Sequence, residues 1–77
     1  MESTLSDLEM VLDVIGQVTG VTSLSPDQDM YDAGVTSVQA LPLLMELEAR
    51  FNVTIPDDRF IASRSARDLS ALINDLR

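Results

Sequence analysis

Residues 36–51 read Thr36-Ser37-Val38-Gln39-Ala40-Leu41-Pro42-Leu43-Leu44-Met45-Glu46-Leu47-Glu48-Ala49-Arg50-Phe51. At 3.6 residues per turn, successive side chains stand about 100° apart. Leu43, Leu44, Leu47 and Phe51 then share one side with Ala40, while Val38, Leu41 and Met45 take the opposite side. Pro42 and Ala49 lie near that second group. Gln39, Glu46 and Arg50 fall on one flank and Glu48 on the other. The pattern predicts a helix from about Ser37 to Arg50, with Thr36 as its N-cap. One apolar face is enough to join a small core. The second face has two readings: the long preceding loop folds over it, or Val38, Leu41 and Met45 stay exposed and meet other proteins. In the second reading Met45 suits a surface that accepts several partners, and Glu46 and Glu48 select basic patches on them. Pro42 removes the hydrogen bond to the Val38 carbonyl, at a cost of about 3 kcal/mol, so a kink or a loosened first turn is expected.

Upstream, Ser6 and Glu9 have the spacing of a capping box, and Leu5, Leu8, Val11, Leu12, Ile15 and Val18 recur at helical intervals. A first helix is expected from about Ser3 or Ser6 to Thr19, stopped by Gly20. The connection from Val21 to Thr36 is longer than most loops in a small domain. It is expected to bury Leu24, Met30, Tyr31 and Val35, and Pro26 followed by acids is expected to start a short helical turn. Downstream, Asn52-Val53-Thr54-Ile55-Pro56 ends the second helix. Asp57-Asp58-Arg59-Phe60-Ile61 suits one short turn with its acids at the favourable end. Ser65 and Asp68 repeat the capping-box spacing ahead of a Leu69, Leu72, Ile73 and Leu76 stripe, with Arg77 at the end. No alternating run predicts a strand. The expected fold is all-α: three main helices and one short helix in a small bundle with a long first loop.

Composition narrows the functions available. The chain has 77 residues, 13 acids against 5 arginines, no Lys, His, Cys or Trp, and a net charge of −8. A chain this short holds one domain, here residues 1–77, with one small core. Without Cys or His, disulfides, thiolate or imidazole metal ligation and Ser-His catalysis are excluded. The charge repels phosphate backbones, so no nucleic-acid partner is expected. At 45% hydrophobic residues the chain is no disordered acidic tail. No run is apolar enough to span a membrane, Met1-Glu2-Ser3-Thr4 lacks a basic leader region, and a cytoplasmic monomer is expected. Asn52-Val53-Thr54 matches the glycosylation sequon, which has meaning only on a secreted chain. Asp27, Asp29 and Asp32 resemble the start of a calcium loop, but the sixth and twelfth positions from Asp27 hold Asp32 and Val38 where Gly and Glu are needed. No metal site is expected.

Ser37 opens the second helix, where free N–H groups and the positive dipole end favour a phosphate. It is no ordinary nucleophile, because the chain holds no His or Lys to activate it and no G-x-S-x-G elbow. It is either a capping serine with no further role or a substrate that another enzyme modifies.

The chain resembles the acyl carrier protein family over essentially its whole length. The likeness rests on Asp32-Ala33-Gly34-Val35-Thr36-Ser37-Val38, on Leu43-Leu44-Met45-Glu46-Leu47-Glu48-Ala49-Arg50-Phe51, and on Val53-Thr54-Ile55-Pro56-Asp57. The resemblance implies a four-helix bundle and a covalent 4′-phosphopantetheine arm, taken from coenzyme A, on Ser37. It implies a docking surface at Val38, Leu41 and Met45, with Leu43, Leu47 and Phe51 in the core. The implied partners are a phosphopantetheinyl transferase, a ligase or synthetase that activates an acyl group or an amino acid, and a downstream transferase. The implied activity is transport of a thioester cargo, not catalysis. Three positions depart from the family pattern. Thr36 stands where an Asp is usual, Val38 where a Leu is usual, and Pro42 where fatty-acid carriers commonly hold a docking acid. They point to a specialised acyl or aminoacyl carrier. The competing expectation is an unmodified helical interaction domain using the same exposed face.

Overall fold

A computed structural model describes residues 6–77, which form four helices in the order α1 (Asp7–Thr19), α2 (Ser37–Phe51), α3 (Asp57–Ala62) and α4 (Ala66–Leu76). No strand occurs among the described residues. The expected start at Ser3 and the apolar position Leu5 lie outside them.

The helix boundaries follow from local chemistry. The Ser6 hydroxyl accepts from the Glu9 N–H at 3.1 Å, and the Glu9 carboxylate accepts from the Ser6 N–H at 3.0 Å. Those bonds, the backbone one first, hold the Glu9 carboxyl below its usual value. α1 stops at Gly20, whose φ of 82° is left-handed and suits a residue without Cβ. α2 is capped by Thr36, and Gln39 reaches back to the Thr36 N–H at 3.1 Å, a reciprocal partner that the sequence reading passed over. It ends at Asn52 with φ 55°, a conformation that Asn tolerates better than most residues. At α4 the expected box is only half made. Ser65 accepts from the Asp68 N–H at 3.1 Å, but the return bond is absent. An Asp side chain is one methylene shorter than the Glu and Gln that close the other two boxes.

α1 packs against both α2 and α4, and α3 touches α4. Val11, Val14, Ile15, Leu43, Leu47, Leu69 and Ile73 are wholly buried, joined by Phe51, Phe60 and Leu72. Each large apolar side chain so buried stabilises by about 1.5–3 kcal/mol. The Val21–Thr36 loop contributes Leu24, Met30 and Val35 to this core, while Tyr31 is half-buried. The segment after Pro26 forms a turn, not the helical turn expected of it, with the Gln28 N–H donating to the Ser25 carbonyl at 3.1 Å. Two cross-links then fasten the loop to the α3–α4 junction. The Met30 N–H donates to the Arg64 carbonyl at 2.8 Å, and the Arg67 N–H to the Pro26 carbonyl at 2.9 Å. The side chains repeat the pairing, Arg64 with Asp29 and Arg67 with Asp27, each at 2.6 Å. Two acids of the failed calcium pattern are therefore held by arginine.

α2 runs unbroken through Pro42, where a kink or loosened turn was expected. The carbonyl deprived of its donor belongs to Val38, which is 83% exposed, so water can take the bond.

Candidate functional site

The loop closes on Gly34, at φ 125°, and the chain then enters α2. Thr36 takes the capping duty, its hydroxyl accepting from the Gln39 N–H at 3.3 Å. Ser37 is therefore the first helical residue and not the cap. That removes the reading of Ser37 as a capping serine: its exposed side chain is not spent on the helix end. The N–H groups of Ser37 and Val38 have no acceptor inside the helix, as for any helix start. Free N–H groups at a helix start favour a phosphate placed beside them.

Ser37 also opens onto a groove of about 630 Å³ between α2 and α3. Ala40, Leu41 and Leu44 form one wall, and Phe60 and Ile61 the other. Tyr31, Arg64 and Asp57 add the polar groups. The Arg64 guanidinium lies 4.8 Å from the centre of the Tyr31 ring, within cation–π range. Its Nε donates to Asp29 Oδ2 at 2.6 Å and its Nη2 reaches Oδ1 at 3.4 Å. Asp29 Oδ1 also accepts from the N–H groups of Tyr31 and Asp32, at 2.9 and 3.1 Å. The Arg64 bond, with these backbone donors, holds the Asp29 carboxyl below the usual range. Burial pushes the Tyr31 hydroxyl up. The sequence reading placed Tyr31 only in the loop and left Arg64 and Ile61 without a role. No spacing rule joins residues thirty positions apart.

The predicted docking residues fall into two groups. Val38, Leu41 and Met45 are exposed by 83, 61 and 60%, so the long loop does not cover them. Glu46 accepts from Arg50 Nε at 2.9 Å on the flank of α2 away from the groove. Glu48 accepts from the Ile55 N–H at 2.8 Å and ties the end of α2 to the segment before α3.

The chain holds no His or Lys, and its exposed Ser37 starts a helix beside an apolar groove. The family model described as "Phosphopantetheine attachment site" matches residues 9–73, and the chain belongs to that family. Its members bear covalent 4′-phosphopantetheine and are carriers, not catalysts. A probable acyl carrier protein of Caulobacter vibrioides (strain NA1000 / CB15N) is 48% identical over 46 residues, 60% of this chain and 54% of that protein. A D-alanyl carrier protein of Streptococcus suis (strain 05ZYH33) is 49% identical over 35 residues, 44% of each chain. The chain spans about half the length of these curated relatives.

Proposed function

We propose that residues 1–77 act as one carrier domain whose Ser37 receives the 4′-phosphopantetheine arm from coenzyme A. The observation that carries this reading is the placement of Ser37. It is exposed, relieved of capping by Thr36, set at the start of α2, and open to the α2–α3 groove. In the attachment step the Ser37 oxygen bonds to the arm's phosphorus, and the phosphoanhydride of coenzyme A breaks. 3′,5′-Bisphosphoadenosine then leaves, and the hydroxyl proton goes to the transferase. Once bound, the arm supplies the thiol that this Cys-free chain lacks and holds cargo as a thioester. The α2 N-terminus stabilises the phosphodiester, and the groove walls give apolar parts of arm or cargo a place out of water. Val38, Leu41 and Met45 meet the transferase, the loading ligase and the downstream enzyme, with Glu46 and Glu48 at the rim of that face. The tether raises the effective concentration of cargo at each docked partner.

The cargo is a specialised acyl group or an amino acid, not the chain of bulk fatty-acid synthesis. The docking acid replaced by Pro42 supports this, as does the D-alanyl carrier among the relatives. A cytoplasmic location suits such a carrier, and no described helix is long and apolar enough to cross a membrane. Intact mass spectrometry after incubation with a broad-specificity phosphopantetheinyl transferase and coenzyme A tests the assignment. The wild type is expected to gain the mass of one arm and Ser37→Ala none. A wild type that stays unmodified would leave an unarmed interaction domain as the better reading. Loading trials of the armed protein with amino acids and acyl donors then separate the cargo classes.

A further inference from the structure

Arg64 is the one cation among the residues that line the α2–α3 groove. It is fixed at both ends. Its carbonyl accepts from the Met30 N–H at 2.8 Å, and its guanidinium donates to Asp29 through Nε at 2.6 Å and Nη2 at 3.4 Å. The same guanidinium lies over the Tyr31 ring, 4.8 Å from its centre. A guanidinium carries five N–H groups, and the bonds to Asp29 use only part of them. Nη1 has no acceptor among the described residues, and the side chain is 55% exposed. The groove thus holds a donor whose position is set before anything binds.

The chemistry of the acceptor follows from the charges. Asp29 already balances Arg64, and a second carboxylate, Asp57, lines the groove. An anionic occupant gains little from the guanidinium and is repelled by Asp57. A neutral carbonyl oxygen takes the Nη1 hydrogen bond without that repulsion. The walls of Ala40, Leu41, Leu44, Phe60 and Ile61 are apolar and suit methylene groups. The 4′-phosphopantetheine arm meets both demands, since beyond its phosphate it is an uncharged chain of methylenes and amide groups. Ser37 is itself part of the lining, so an arm on it starts at the groove.

We propose that Arg64 seats the arm: its Nη1 donates to an amide oxygen of the pantetheine, and the chain then lies across the Tyr31 ring. This rests on the carrier reading above and names the group that holds the arm when no partner does.

Tyr31 is the only tyrosine and the chain has no Trp, so intrinsic fluorescence reports on the groove alone. The test compares acrylamide quenching of Tyr31 in the full chain before and after arm attachment, without cargo and under reducing conditions. Intact mass confirms that the arm is present. In the wild type the arm is expected to lower the quenching constant at least about twofold, because a ligand in a groove shields the side chains that line it. That shielding is expected to persist at about 0.5 M NaCl, where a contact made by charge is screened. Arg64→Met keeps the aliphatic reach and loses the donors, so its armed and unarmed forms are expected to quench alike. Comparing the two forms of each protein removes any change in Tyr31 that the substitution itself causes. Circular dichroism checks the variant's fold, and the wild-type comparison stands even if the variant fails to fold. An armed wild type whose Tyr31 is as accessible as before overturns the inference while the carrier reading stands. So does an Arg64→Met protein that keeps the full shielding. Shielding lost in salt also overturns it, by assigning Arg64 to the arm's phosphate. If the wild type never gains the mass of the arm, the carrier reading fails, and the inference with it.

Discussion

Asp29 shows how one side chain can do several jobs in a chain short of cations. Its carboxylate orders two loop amides and holds Arg64, which in turn lies against Tyr31 at the groove. The Arg64 bond and the amides depress the folded carboxyl below the ordinary Asp value of 3.8. A depressed acid binds protons less readily folded than unfolded. Its stabilising effect is therefore full above the unfolded value and is lost as pH falls through the folded one. Asp29→Asn is expected to lower Tm near neutral pH and to have little effect once the wild-type carboxyl is protonated. Thermal melts across the acid range check this, and a constant difference down to the lowest pH would contradict it. Glu9 is depressed in the same sense by its bonds to Ser6, so the acid range also loosens the start of α1.

Among the elements, α2 bears both the site and an internal contradiction. It starts under a complete cap, ends cleanly at Asn52, and buries Leu43, Leu44, Leu47 and Phe51. Yet Pro42 interrupts its hydrogen-bond ladder without breaking it. The buried face supplies the stability that offsets this defect. Replacing Pro42 by Ala restores an N–H to the Val38 carbonyl, while the unfolded chain gains some freedom. The net gain is expected to be about 1–2 kcal/mol, seen as a higher urea midpoint with unchanged slope. A loss of stability would mean that Pro42 is required by the fold. The helix pattern, its caps and its two faces were readable from residues 36–51, because helical periodicity is a local property. The α4 return bond was misread because spacing alone does not register that Asp is too short to complete the box.

At the level of the whole molecule, a small core shared by four helices and the long loop leaves little redundancy. Leu47 is wholly buried in it, and Leu47→Ala is expected to cost about 2–5 kcal/mol, measured by urea denaturation. Domains of this kind hold only about 5–15 kcal/mol in all, so the variant should be close to unfolding at physiological temperature. The sequence by itself determined the all-α class, the helix limits, the buried stripes, the lack of His, Lys and Cys and the position of Ser37 at a helix start. These depend on residue type and on contacts within a few positions. Tertiary structure alone decided that the long loop leaves Val38, Leu41 and Met45 uncovered, and that Tyr31, Phe60 and Arg64 meet Ser37 at one groove. It also decided which acids are paired with arginines. Those outcomes depend on pairings up to 70 residues apart, such as Arg77 with Asp7, and only the packed arrangement of the helices brings such groups within bonding distance.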